Sequence, residues 1–246
     1  MSENLTESVA LATNFSRRPG GARGHADHGW LRSAHSFSFA NYYDPEHMGF
    51  ANLRVINEDV VAPQRGFGEH PHDNAEIFSY IIEGALAHKD TLRNHSTVAG
   101  GGIQYMSAGS GVRHSEFNPS QTHPVHFLQV WLLPNQTGGE PRYETQDISA
   151  IEKAGRLKLF LSPDGRAGSM AMRADALIYA GTFDGSQTTE TVLPEGHKAW
   201  VQIARGSVDV NGVNLEAGDG LAIHSGGRVV FSKGIDAELL YFDLFE

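Results

Sequence analysis

Apolar and polar residues alternate along most of this chain in short runs, broken by Gly, Asn, Asp and Pro. The clearest runs are Phe37 to Tyr43, Ile77 to Ile82, Val125 to Leu133, Ala199 to Ala204 and Glu238 to Leu244. Period-2 patterning with closely spaced turn signals predicts strands folded into a sandwich or barrel. Helical periodicity is scarce; Ile148 to Ala154 and Met170 to Ala174 are the segments read as short helical turns. Residues 1–24 are polar and carry Arg17-Arg18-Pro19-Gly20-Gly21, which reads as a flexible arm. A polar, turn-rich stretch from Asn135 to Thr145 separates two β-rich halves, placed at 25–140 and 141–246.

The halves read as degenerate copies. In the first, Tyr80-Ile81-Ile82-Glu83-Gly84 runs into Ala85 to Asp90, then Gly100-Gly101-Gly102 and Ile103 to Ser107. In the second, Gln202-Ile203-Ala204-Arg205-Gly206 runs into Ser207 to Asn211, then Ala217-Gly218-Asp219 and Gly220 to His224. The shared rhythm is strand, Gly turn, strand, Gly-rich turn, strand. It fits a duplicated barrel better than two unrelated domains.

Composition narrows the chemistry. The 246 residues are 40% hydrophobic and carry a net charge of −10, as expected of a globular protein with a core. That charge disfavours nonspecific binding to nucleic acid or to anionic membrane, and no DNA-binding motif is present. There is no cysteine, which removes disulfides, thiolate zinc sites, cysteine nucleophiles and iron–sulfur clusters. Any metal must be held by carboxylates and by some of the 13 histidines. No Walker loop, dinucleotide fingerprint or nucleophile elbow is found. The apolar stretch Val9 to Ala12 is too short for a signal peptide and follows acidic residues, so the cytoplasm is the expected compartment.

The segment Gly66-Phe67-Gly68-Glu69-His70-Pro71-His72 places two histidines at i and i+2, on one face of an extended chain. His114 and Glu116 form a second such pair. If the two segments neighbour one another in a sheet, three imidazoles and one carboxylate converge. That donor set suits Fe(II), Mn, Co, Ni, Cu or Zn. An octahedral ion held this way keeps two open positions, enough for a substrate oxygen and dioxygen or water.

His70, His72, Glu76 and Gly84 resemble the first cupin motif, and Gly109, Gly111, His114 and Asn118 the second, with Gly109 in the usual proline place. In detail the chain is similar to the pirin family. The carriers are His28-Gly29-Trp30-Leu31, His35 to Pro45, Asn52 to Asn57, Gly66 to His72, Glu83-Gly84, His88-Lys89-Asp90, Met106 to Gly109 and Arg113 to Pro119. The likeness covers about residues 24–246 and is strongest from His28 to Pro134. It is closest to bacterial pirin-like proteins with quercetin 2,3-dioxygenase activity. It departs from the family at Gly100-Gly101-Gly102, where a Pro-Gly-Asp type of turn is usual.

The resemblance implies an all-β bicupin, two face-to-face β-barrels with few short helices and a metal in the N-terminal barrel alone. It maps the ligands onto His70, His72, His114 and Glu116, with Fe(II) the expected ion. Glu76 stands one residue off the spacing of a ligating cupin glutamate, because Ile77 holds that place; in a regular strand Glu76 points away. In the second half, Val192, Pro194, Phe231 and Lys233 fall opposite the four ligands, so that barrel is expected to be metal-free. A flavonol such as quercetin would bind through its 3-hydroxyl and react with dioxygen, with Glu116 as the catalytic base. The alternative, drawn from eukaryotic pirin, is a metal-dependent transcriptional coregulator that binds a protein partner without turnover. No direct nucleic-acid contact and no membrane contact are expected, and a monomer is the expected state. Phe39, Tyr42, Phe50, Phe67 and Met106 are candidates for an apolar pocket wall, although core packing is the commoner role of such residues. His88, His95 and His123 are read as exposed turn residues, and His197 and His224 as solvated or locally hydrogen-bonded.

Overall fold

Strands form where the alternation placed them. Ile77 to Ile82 lies within the strand Glu76–Glu83, and Val125 to Leu133 gives the strand Val125–Leu132. Ala199 to Ala204 falls in the long strand Lys198–Val210, and Glu238 to Leu244 ends the strand Gly227–Leu244. The computed structural model describes residues 9–245. These divide into two compact units, each built almost wholly of antiparallel sheet. Among the described residues no helix is long and apolar enough to cross a membrane.

The first unit comprises Arg23–Ser149 and Met170–Ala174. Its larger sheet orders seven strands as Arg142–Asp147, Gly102–Ser107, Glu76–Glu83, Val125–Leu132, Leu53–Val61, Leu31–His35 and Gly24–Asp27. Its smaller sheet orders four as Gly66–His72, Val112–Phe117, Ala85–Asp90 and His95–Ala99. Apolar side chains of both sheets meet in the interior. Leu86 and Val98 of the smaller pack with Val61, Ile81, Val125 and Phe127 of the larger. Val112 packs with Ile77 and Met106. Burying each such side chain contributes roughly 1.5–3 kcal/mol, which fixes the sheets that carry the histidines.

The second unit takes the described residues up to Ala22, Ala150–Ser169 and Asp175 onward. Its interior is an apolar cluster that includes Val201, Ile203, Val229, Phe231, Leu239 and Tyr241. The internal repeat is visible in the backbone. Gly101 donates its N–H to the Ile81 carbonyl, and Gly218 donates to that of Ile203. Each acceptor lies three residues before a turn glycine, Gly84 or Gly206, and all four glycines have positive φ, the region where a side chain is strained. Of the positions aligned with the ligands, Phe231 is buried in the apolar cluster, whereas Val192 and Lys233 are exposed.

Four expectations differ from the fold. The arm lies outside the described residues as far as residue 8. Beyond it, Phe15–Arg18 is a strand paired with Gly220–Ile223, and Arg17 is ion-paired with Asp219 at 2.6 Å. Phe37 to Tyr43 is not a strand, because Phe39 bridges Tyr42 around a turn with Ala40 at φ 49°. Ala150–Lys153 is helical, but Met170–Ala171 is extended. The first unit runs past residue 140, because Arg142–Asp147 pairs with Gly102–Ser107.

Candidate metal centre

Strands Gly66–His72 and Val112–Phe117 run antiparallel with His70 opposite His114. The register shifts between His114 and Glu116, where an extra residue of the partner strand is accommodated between Phe67 and His70. Close approach of the two strands requires glycine at position 66, since a Cβ there would overlap the backbone of Glu116 and Phe117. His70, His72 and His114 converge, with ring centroids 4.5–4.9 Å apart and one donor atom from each within 4.8 Å of the others.

The fourth candidate, Glu116, is buried and lies outside that group. It forms a second group with His114 and His88. Its carboxylate accepts hydrogen bonds from Gln129 Nε2 at 3.0 Å, from Ser79 Oγ at 3.3 Å and from Gln104 Nε2. The Tyr143 hydroxyl donates to Gln104 Oε1 at 3.2 Å and so orients that amide. His114 is the residue common to both groups, and the other three expected residues lie around it. Glu76 belongs to neither. It is buried and accepts from the Tyr105 hydroxyl, from Ser107 Oγ at 2.6 Å and from the Arg173 backbone N–H at 3.0 Å.

The residues fit a cation. His70 Nδ1 lies 2.7 Å from the Gly68 carbonyl, so it carries the proton and Nε2 keeps its lone pair. His114 Nδ1 faces His88 Nδ1 at 3.4 Å, while its Nε2 is buried without a hydrogen-bond partner. An unpartnered buried nitrogen costs about 1–3 kcal/mol, which a metal bond would offset. Burial, reinforced by the neighbouring histidines, pushes His114 down to about 2; burial and His70 push His72 down to about 4. Both rings are therefore neutral at pH 7, the form that binds metal. Burial pushes Glu116 up to about 7, with the Asp59 charge adding to the effect and the hydrogen bonds from Ser79, Gln104 and Gln129 opposing it.

His88 corrects its reading as exposed. It is 3% exposed, stacks on Tyr143 at 3.9 Å and lies 3.3 Å from Asp90 Oδ2 through Nε2. The missed signal was a third i, i+2 pair, His88 and Asp90, in the strand Ala85–Asp90. His197 and His224 are locally bonded, to Asp243 at 2.7 Å and to Ser16 Oγ at 2.7 Å.

A cavity of about 710 Å³ adjoins His70 and His72 and is walled by Trp30, Phe39, Tyr42, Phe67, Gln129 and Trp131. Phe39, Tyr42 and Phe67 thus take the wall role, whereas Met106 belongs to the core and Phe50 does not line the cavity. Of the strand Val125–Leu132, the face that carries Gln129 and Trp131 is the one that lines the cavity, and Trp30 joins it from outside that strand. Trp131 packs edge-on against His72, with ring centroids 4.8 Å apart, and its buried Nε1–H has no partner.

Asp59, also on the cavity wall, is buried and accepts from Ser33 Oγ. Burial pushes its carboxyl up to about 7. Between the ordinary value near 3.9 and about 7, the folded state holds a proton that the unfolded state has lost. The unfolding free energy therefore falls as pH rises through that window, by up to about 1.4 kcal/mol per pH unit. Urea melts of the metal-free protein at pH 5 and 7.5 should show a smaller fall in Asp59→Asn than in the parent.

Comparison with known proteins gives consistent matches. A family model described as Pirin matches residues 16–132, and one described as Quercetinase C-terminal cupin domain matches 159–244. The chain is 44% identical over 227 residues to quercetin 2,3-dioxygenase of Escherichia coli strain K12, covering 92% of this chain and 97% of that one. It is 37% identical over 228 residues to the pirin-like protein of Caulobacter vibrioides, covering 92% and 98%. Its fold is similar to the crystal structure of the bacterial pirin YhhW from Escherichia coli in complex with nickel(II), with TM-score 0.89, 42% identity, and 94% and 99% of the chains covered.

Proposed function

The chain belongs to the pirin family, with an N-terminal pirin domain and a C-terminal cupin domain, and on that premise we propose that it is a metal-dependent dioxygenase that opens the heterocycle of flavonols. The observation that carries the reading is the convergence of three imidazoles beside a cavity with aromatic walls. Relatives carrying the name quercetin 2,3-dioxygenase support it. Nickel(II) in the related bacterial pirin supports a divalent metal. We take Fe(II) as the physiological ion, since imidazole and carboxylate donors suit it as they suit the neighbouring metals.

His70, His72, His114 and Glu116 would hold the ion, which supplies Lewis acidity toward a substrate hydroxyl and a meeting point for dioxygen. The residues of the chain supply the rest. A cavity of about 710 Å³ has room for a planar polyphenol of drug-like size. Trp30, Phe39 and Trp131 offer it ring faces and edges and keep water from the reacting carbons. Glu116 takes the proton of the flavonol 3-hydroxyl as general base. In the metal-free protein Gln104, Gln129 and Ser79 hold its oxygens. Overall the flavonol takes up both atoms of dioxygen and one ring carbon leaves as carbon monoxide, so no outside reductant is required.

Anaerobic loading with Fe(II), followed by quercetin in an oxygen electrode, tests the proposal. Oxygen uptake matched by carbon monoxide is expected from the loaded protein and not from the metal-free one. Loaded protein that consumes no oxygen would defeat the dioxygenase reading. Glu116→Gln with metal still bound should lose about 100-fold or more in turnover. Full turnover by that variant would remove the base role.

A further inference from the structure

Against His114 lies a chain of buried polar groups, His88 and Asp90, that the proposed chemistry does not use. His88 and Asp90 project from one face of the strand Ala85–Asp90, with side chains 1% and 0% exposed. Asp90 ends the strand and organises the turn after it. Its Oδ1 accepts the backbone N–H groups of Leu92 and Asn94, both at 2.9 Å, and its Oδ2 accepts Asn94 Nδ2 at 2.8 Å. Although burial alone would raise its pKa, these donors and His88 hold it below the ordinary carboxylate range, so it is an ionised acceptor.

An ionised carboxylate dictates where protons sit further along. His88 Nε2, 3.3 Å from Asp90 Oδ2, must carry a hydrogen to donate. With the single hydrogen of a neutral ring on Nε2, His88 Nδ1 has a lone pair. That Nδ1 faces His114 Nδ1 at 3.4 Å, and two nitrogens can share a hydrogen bond only if one carries the hydrogen. The hydrogen falls to His114. A neutral imidazole has a single N–H, so His114 Nε2 is left bare, and it is the buried nitrogen with no partner. Stacking of His88 on Tyr143, at 13° between planes, holds the ring in the orientation this chain needs.

We propose that Asp90 and His88 are positioning residues that lock His114 in the tautomer whose Nε2 lone pair faces the metal. The proposal rests on the reading of His114 as a ligand. Metal-binding histidines commonly donate their second N–H to a carboxylate or carbonyl; here an imidazole is inserted between carboxylate and ligand, so the tautomer is set from two residues away.

The test is made on the full-length metal-free protein with 15N-labelled histidine, whose two-bond 1H–15N correlations distinguish the tautomers. The expected parent spectrum shows His114 protonated at Nδ1 and His88 at Nε2. Asp90→Asn keeps the shape, and Asn94 can turn its amide to suit it. The new amide donates to His88 Nε2, moves the His88 proton to Nδ1 and thereby drives the His114 proton to Nε2. Co(II) affinity, measured by calorimetry, should fall about 10–100-fold with this exchange, and similarly in His88→Phe, which keeps a ring against Tyr143. A side chain with a merely structural role would lower the melting temperature without exchanging the tautomer. His114 protonated at Nε2 in the parent would overturn the proposal, as would Asp90→Asn that retains both the parent tautomers and Co(II) affinity within about twofold. The tautomers are read without metal or substrate, so they judge the relay even if quercetin is not turned over. Parent protein that binds no Co(II) would defeat the ligand reading of His114 and the relay's role with it.

Discussion

Replacing His114 with alanine should leave a folded protein that no longer holds metal. His114 is the residue shared by the three-histidine group and the group with His88 and Glu116, so its loss dismantles both. The affinity lost should exceed the roughly 10–100-fold expected of changes behind a ligand. The fold should survive, because the buried Nε2 has no partner to leave behind. Lost packing and the contact with His88 should cost within roughly 0.5–3 kcal/mol. Metal content after anaerobic reconstitution, paired with a urea melt of the metal-free variant, separates the two effects. Metal retained at the parental level would remove His114 from the site.

Glu76→Ala should do the opposite. Glu76 is buried in the same unit, yet its carboxylate accepts from Tyr105, Ser107 and the Arg173 backbone. Truncation strands those donors, and each buried donor left unsatisfied costs about 1–3 kcal/mol. A loss of roughly 3 kcal/mol or more is expected, with metal stoichiometry unchanged at temperatures where the variant remains folded. Glu116→Ala should reverse the pattern, with a larger effect on metal than on the melt. If Glu76→Ala loses metal while fully folded, then Glu76, not Glu116, is the carboxylate ligand.

The contrast between these glutamates shows what the sequence makes legible. Spacing within a strand is local, so the shared faces of His70 with His72 and of His114 with Glu116 can be read from two residues' separation. That His70 lies opposite His114 is a matter of register between segments far apart in the chain. Only resemblance to a family supplied it. Register also explains the misses. The Phe15–Arg18 segment looks like a polar arm until its partner Gly220–Ile223 is in place. Phe37 to Tyr43 has strand composition, but the Ala40-Asn41 turn brings Phe39 back to Tyr42 and to the cavity. His88 reads as an exposed turn residue because it stands near the turn that Asp90 closes, while its own side chain points inward. Tyr143, which orients Gln104, lies beyond the apparent end of the first half. The internal repeat was legible because turn glycines mark it, and Gly84, Gly101, Gly206 and Gly218 keep their backbone shapes in both copies.

The most direct test of the site is a crystal structure of the protein loaded with one divalent metal, with anomalous scattering recorded at that metal's absorption edge. The expected result is one anomalous peak per chain, bonded to His70, His72, His114 and Glu116, with the Glu116 carboxylate turned toward the histidines. A peak held by His88, His114 and Glu116 without His70 and His72, or no peak in fully reconstituted crystals, would contradict it.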